Sequence, residues 1–171
     1  MTSGRRKGVK RSDRRWIDAD GGEWDSKFEW RVYNGLRDHG NRIRRCDERD
    51  AIAYNTSVRQ GRCLECKSHA VIQERIYTAD LFMVSERDGG ATGGGYLVEC
   101  KGYFPGTKRA LFRAISKQLQ GIGLRIIFES NRQLKGTKNM TPVGYIHKYC
   151  KGVVPGVWDK KTEQVTWYNE D

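Results

Sequence analysis

The sequence predicts an α/β fold, a central mixed β-sheet flanked by helices, and three observations carry that expectation. Leu81 to Val84 and Tyr96 to Cys100 are short apolar runs joined by a segment holding Gly89-Gly90 and Gly93-Gly94-Gly95, the pattern of an antiparallel hairpin. Thr107 to Leu119 has helical periodicity, with Leu111, Phe112, Ile115 and Leu119 apolar and Lys108, Arg109, Arg113 and Lys117 mostly on a polar face. Leu124 to Phe128 then returns as a β-branched strand. Strand, helix, strand after a hairpin implies a mixed sheet with a right-handed crossover.

The other elements follow from the same rules. From Trp24 to His39, Trp24, Phe28, Val32 and Leu36, with Tyr33, recur at helical spacing; Asp25 or Ser26 is a candidate cap and Gly40 a candidate end. Asn41 to Ile76 is charged and irregular, with strands expected at Ala51 to Tyr54 and Ala70 to Ile76. Gly144 to Cys150 suits a short helix, and Pro155-Gly156-Val157-Trp158 reads as a turn. The expected organisation is a basic arm at 1–20, one domain at 21–160 with a cysteine-containing insertion at about 41–76, and a tail at 161–171.

Thirty-two Lys and Arg against twenty-one Asp and Glu give a net charge of +11, which favours a polyanionic partner, nucleic acid first. Arg5, Arg6, Lys7, Lys10, Arg11, Arg14 and Arg15 concentrate part of that charge in the arm. The five cysteines are an odd number, and there is neither an apolar leader nor a run of about 18 apolar residues, so a reducing cytoplasm and no membrane span are expected. Cys63 and Cys66 have the spacing of a zinc knuckle, which Cys46 or His69 could complete. A second paired motif is absent, so reduced thiols are the simpler alternative. Any zinc there would be structural, since a closed thiolate site leaves no open position.

Asp80 opens one strand, and Glu99 and Lys101 lie two residues apart on its neighbour, so their side chains leave the same face. Asp80 alone could cap a turn, and Glu99 with Lys101 could be an exposed ion pair. On a strand whose other positions are apolar, however, that charge falls on a half-buried face and needs a reason. Two carboxylates are the oxygen inventory of a Mg²⁺ site, to which the carbonyl of Cys100 could add a ligand. Lys101 could orient or deprotonate an attacking water or stabilise developing charge. Glu29 flanks the buried stripe of the first helix; from the helix alone, a solvated glutamate is the simpler account.

Asp80 followed by Glu99-Cys100-Lys101 resembles the PD-(D/E)XK nuclease signature, with Ala79 at the proline position. Tyr77-Thr78-Ala79-Asp80-Leu81-Phe82, Leu97 to Phe104 and Arg125 to Arg132 resemble more closely the phage endonuclease I family of Holliday-junction resolvases, over about Ser26 to Trp158. The resemblance implies a restriction-endonuclease-like core in a domain-swapped homodimer, located in the host cytoplasm if phage-encoded. It implies a metal site of Asp80, Glu99, the Cys100 carbonyl and Glu29, the last contributed in trans, with Glu23 the alternative to Glu29. The catalytic set is then Glu29, Asp80, Glu99 and Lys101, with Mg²⁺ or Mn²⁺, two per site, and no other small-molecule cofactor. Branched DNA is the implied partner, contacted through phosphates by Arg31, Lys108, Arg109, Arg113, Lys117, Arg132 and Lys135. A nicking or restriction-type nuclease on duplex DNA and a non-cutting zinc-knuckle nucleic-acid-binding protein are the alternatives. The glycine-rich interval is longer than the family's, and the 41–76 bridge carries the cysteine insertion.

Overall fold

The computed structural model describes residues 16–17, 21–59, 70–84, 94–119, 121 and 123–169. The elements run β1 (Trp16–Ile17), β2 (Glu23–Trp24), α1 (Lys27–Asp38), β3 (Ile43–Arg45), β4 (Ile52–Arg59), β5 (Ala70–Tyr77), β6 (Leu81–Val84), β7 (Gly95–Lys101), α2 (Gly106–Ser116), β8 (Gly123–Phe128), α3 (Pro142–Tyr149), β9 (Val153–Asp159) and β10 (Gln164–Trp167). Six strands form the central sheet in the order β10-β9-β8-β7-β6-β3. The β7–β8 and β8–β9 pairs are parallel and the others antiparallel, so the expected mixed sheet and the β6–β7 hairpin are both present. The glycine-rich segment 85–93 between those strands lies outside the described residues.

Two apolar layers cover the sheet. On one face α2 and α3 bring Phe112, Ile115, Val143, Tyr145 and Ile146 against Leu97, Leu124, Ile126 and Phe128. On the other, α1 brings Phe28, Val32, Tyr33 and Leu36 against Leu81, Val98, Cys100 and Ile127. Each such buried side chain contributes about 1.5–3 kcal/mol relative to exposure, so α1 is held by its stripe rather than by intrinsic propensity. Its start is capped by Ser26, whose Oγ accepts the Glu29 N–H at 3.1 Å; Gly40, at φ +80, follows its end. Trp24 belongs to β2, where it pairs with Trp16, and not to the helix. α1 sits close to β9 because Gly35 has no side chain: a Cβ there would overlap the Trp158 ring and lie 2.9 Å from the Glu163 carbonyl.

Three segments differ from expectation. Pro155 to Trp158 is the middle of strand β9 and not a turn. Proline is disfavoured inside sheets because it lacks an N–H. Here the Pro155 carbonyl accepts the Tyr168 N–H at 2.9 Å, so the edge on which Pro155 lacks a donor faces the end of β10, where pairing is already running out. Gly156 lets β10 cross closely, since a Cβ would lie 2.6 Å from Val165 Cγ1. The expected C-terminal tail thereby supplies an edge strand, and Trp16–Ile17, within the expected arm, pairs with β2.

β4 and β5 form a separate antiparallel ribbon of eight residue pairs, longer than either expected strand. One of its faces, with Ile52, Tyr54 and Tyr77, packs into the α2–α3 layer. Ala53, Ile72 and Ile76 lie on the opposite face.

Candidate active site

Tyr77, at the end of β5, is followed by the bend that places Asp80 at the start of β6, beside the C-terminal end of β7. The backbone N–H of Cys100 donates to Asp80 Oδ2 at 2.6 Å, which orients that carboxylate across the strand end. Glu99 is 3 % exposed, the one charged residue among the buried groups described. Its Oε2 accepts the Tyr77 hydroxyl at 2.5 Å, and its Oε1 is ion-paired with Lys101. Lys101 Nζ also donates to the Cys100 carbonyl at 3.1 Å and lies 3.9 Å from Asp80 Oδ2. Glu29, half-buried in the first turn of α1, feels the charges of both Asp80 and Lys101. The structure therefore gathers all four expected residues, Glu29, Asp80, Glu99 and Lys101, at one end of the sheet. Glu23 lies before α1, in β2.

The electrostatics follow from crowding acids in a poorly hydrated place. Burial, then the Asp80 charge, pushes Glu99 up to about 7 against the opposing effect of Lys101. Burial raises Asp80 as well, partly offset by Lys101 and the Cys100 N–H, and burial followed by Asp80 raises Glu29. For Lys101, burial favours the neutral amine, yet Glu99 and Asp80 together outweigh it and its pKa is raised. The lysine is thus the cation that Glu99 and Asp80 share.

That ammonium also tests the fit of a metal. It touches Glu99 and the Cys100 carbonyl and approaches Asp80, three of the four expected oxygen ligands, so these oxygens already converge on a single cation. Carboxylate and carbonyl oxygens suit Mg²⁺ or Mn²⁺. Among the described residues no group of three or more His, Cys, Asp or Glu side chains stands preassembled for a metal.

α1 packs against β7 within the one chain described, which brings Glu29 to the site; the contribution in trans that the resemblance implies involves a second chain.

The basic residues separate into groups. Arg109, Arg132 and Lys135 line a cleft of about 350 Å³ that begins at Lys101. Lys108 is close enough for its charge to act on Asp80. Arg113 and Lys117 line a second groove, between α2 and β4, with Asn55 and Thr56. Arg31 is half-buried on α1.

Of the expected zinc ligands, Cys63, Cys66 and His69 lie outside the described residues. Cys46 is half-buried at the base of the ribbon, where its N–H donates to the Asp80 carbonyl at 3.2 Å. Arg59 and Ala70, which flank the other three ligands in sequence, pair at the opposite end of the ribbon from Ile52 and Tyr77, about 23 Å along it at 3.3 Å per residue. Burial, then Asp50, pushes the Cys46 thiol up to about 12.

Sequence reasoning assigned no role to Tyr77. Its hydroxyl is the group that orients Glu99, and the available signal was its place three residues before Asp80 at the end of a strand. No family model matches the chain, and neither a curated protein nor a solved structure is significantly similar to it.

Proposed function

We propose that the protein is a metal-dependent, structure-selective DNA endonuclease that resolves four-way and other branched DNA junctions by phosphodiester hydrolysis, on a PD-(D/E)XK-type core. The observation that carries this reading is Glu99, a buried carboxylate at the end of a central strand, converging with Asp80 and the Cys100 carbonyl on Lys101. A structural ion pair needs no second and third acid beside it. A hydrolytic centre does, because phosphodiester cleavage calls for cations around the transferring phosphoryl oxygens. Bound Mg²⁺ or Mn²⁺, two per site in the resembling family, supplies Lewis-acid stabilisation and an activated water. Asp80, Glu99, Glu29 and the Cys100 carbonyl would hold it. Tyr77 fixes the direction of Glu99, and the Cys100 N–H fixes that of Asp80. Lys101, kept charged by its neighbours, is a donor to a phosphate oxygen. The net charge of +11 and the cations around the site supply phosphate contacts that do not depend on sequence.

The test is cleavage of a labelled immobile four-way junction and of its matched duplex in Mg²⁺, by the native protein and by Asp80→Ala and Glu99→Ala. The expected result is cutting of the junction in preference to the duplex, reduced by at least about 10²-fold in either variant. Equal cutting by native protein and variants would refute the site. Equal cutting of junction and duplex would make the protein a nicking or restriction-type nuclease. Binding without cutting, lost with Cys63 or Cys66, would favour the zinc-knuckle alternative.

A homodimer belongs to this reading. A two-stranded ribbon is marginal by itself, yet the outer face of β4–β5 leaves Ile72 and Ile76 76 % and 75 % exposed, and paired copies would cover them. Two sites related by two-fold symmetry suit two cuts in a junction. A second copy's α1 would bring the same Glu29 to the same surface, so exchange of α1 leaves the composition of the site unchanged. Ile72→Lys with Ile76→Lys is expected to shift the protein from dimer to monomer in sedimentation velocity; a native protein that is monomeric at tens of micromolar would remove the dimer from the proposal.

A further inference from the structure

The cleft beside Lys101 is walled by the N-terminal turn of α2 and by the segment after β8. Four of its lining residues are cationic, Lys101, Arg109, Arg132 and Lys135, and none is acidic. The nearby carboxylate of Glu129 is engaged by Lys160 at 2.8 Å. Arg109 Nε is buried and has no hydrogen-bond partner, and a buried donor left unmade costs about 1–3 kcal/mol, more for a charged group. Its guanidinium reaches back to the start of α2, where a Cβ on Gly106 would lie 3.4 Å from Nη2. α2 itself opens after Pro105 with no side-chain cap and no acidic residue in its first turn. The positive end of the helix therefore lies beside the Arg109 guanidinium, with no side-chain acceptor supplied to its first turn.

The cleft's cations and the open helix end share one sign, and one ligand would engage those that it can reach, a tetrahedral oxyanion with several acceptor oxygens; Arg109 Nε, with almost no accessible surface, is not one of them. The cleft adjoins Lys101, so an anion held there is a neighbour of whatever Lys101 contacts. We propose that this cleft is a phosphate pocket that holds the backbone phosphate next to the one being cut, and so sets which bond of the strand lies over Asp80 and Glu99. The inference rests on the nuclease reading for the identity of the strand, but the pocket's affinity for phosphate does not depend on cleavage. The pocket separates Arg109, Arg132 and Lys135, which position the cut, from Arg113 and Lys117 in the second groove, which would serve overall affinity.

The experiment uses the full chain in the Glu99→Ala background, with two probes. The first is inorganic phosphate, followed through backbone amide signals; the second is an immobile junction with a single neutral methylphosphonate placed in turn at each phosphate flanking the cut. Phosphate is expected to move the signals of Gly106 and of residues 130–136, and Arg132→Ala with Lys135→Ala, both exposed side chains, should weaken it by about tenfold or more. One flanking methylphosphonate should weaken junction binding in the Glu99→Ala protein, and the same substitution should cost little once Arg132 and Lys135 are gone. Each removed cation should also lower the salt slope of junction binding by about one. In the otherwise native protein, Arg109→Lys, which keeps the charge but loses the fork, should spread cleavage over neighbouring bonds.

Absence of phosphate-induced shifts around the cleft would overturn the pocket. Phosphate binding with junction binding indifferent to every methylphosphonate would show a site for free phosphate only and overturn the assignment to the DNA backbone. A native protein that cuts nothing while the methylphosphonate and variant effects persist would leave the pocket standing and remove the nuclease reading instead.

Discussion

Replacing Lys101 with methionine is expected to lower junction cleavage on the order of 10³-fold while leaving the protein folded. Methionine keeps the length and the apolar stem, so the half-buried position stays filled and the loss is that of the ammonium. Two consequences separate from one another. In the metal-free protein Glu99 loses its ion pair and keeps only the Tyr77 hydroxyl, so its proton is held more tightly and must be lost before a cation can enter. In the cleavage reaction a phosphate oxygen loses its donor. The first effect is repaired by raising the pH and the Mg²⁺ concentration, and the second is not. The residual deficit at saturating Mg²⁺ and high pH therefore measures Lys101 as a catalytic residue. Lys101→Arg restores a cation and should recover part of that deficit, at a different optimum, since its planar head is held further from the Cys100 carbonyl. Native rates for the methionine variant at saturating Mg²⁺ would reduce Lys101 to a counter-ion of the acids.

The residues that could be read in advance are those whose chemistry is out of place in their local pattern. Glu99 and Lys101 interrupt an apolar strand, and their shared face follows from the two-residue period alone. The central sheet was legible for the same reason, since Leu81 to Val84, Tyr96 to Cys100 and Leu124 to Phe128 are each apolar enough to be strands and little else. Glu29 was different. A glutamate in a first helical turn is ordinary, and the helix period could not tell that its end of α1 lies over Asp80; only the resemblance singled it out. Tyr77 was hidden because a tyrosine in a β-rich segment already has a reason to be there, and its hydroxyl matters only once β5 is placed against β7. Pro155 misled through a rule that is sound for a strand paired along its full length and relaxes where the neighbouring strand ends. Gly35 and Gly156 carry close approaches that no local pattern reports, because the partner, Trp158 in one case and Val165 in the other, is distant in sequence. The cleft proposed as a phosphate pocket belongs to this last class as well: its cations come from β7, from α2 and from the segment after β8, and only the fold brings them together.

The burial of Glu99 makes the stability of the metal-free protein fall as the pH rises, the reverse of the usual behaviour of a native carboxylate. Its folded pKa, about 7, lies above the ordinary 4.5, so the folded state binds this proton more tightly than the unfolded chain does. The stabilisation is complete below about 4.5, is lost progressively as the pH climbs, and is gone above about 7. At 1.36 kcal/mol per unit the full excursion is about 3 kcal/mol. Asp80 and Glu29 are raised too and act in the same direction. Lys101 is also raised, but from 10.5, so its contribution is lost only at strongly alkaline pH and leaves this window untouched. Asp50, lowered first by its hydrogen bond from Arg44, opposes the trend only below about pH 4. Urea denaturation in EDTA should therefore give a lower unfolding free energy at pH 8 than at pH 5, with Glu99→Gln flattening the difference. Magnesium should reverse it: on the proposed function a cation would bind the ionised cluster of the folded state alone, and at 100 times its dissociation constant would contribute about 2.7 kcal/mol, most at the pH where the metal-free fold is least stable. Tyr77→Phe provides the internal check. Removing the hydroxyl that the carboxylate accepts costs about 1–3 kcal/mol and raises Glu99 further, so the fall should move to higher pH, where a purely steric role for the ring would leave it in place. Stability that rises between pH 5 and pH 8 in EDTA would mean that Glu99 is ionised and well compensated without a metal, and the cluster would then be a structural ion pair rather than a site waiting for a cation.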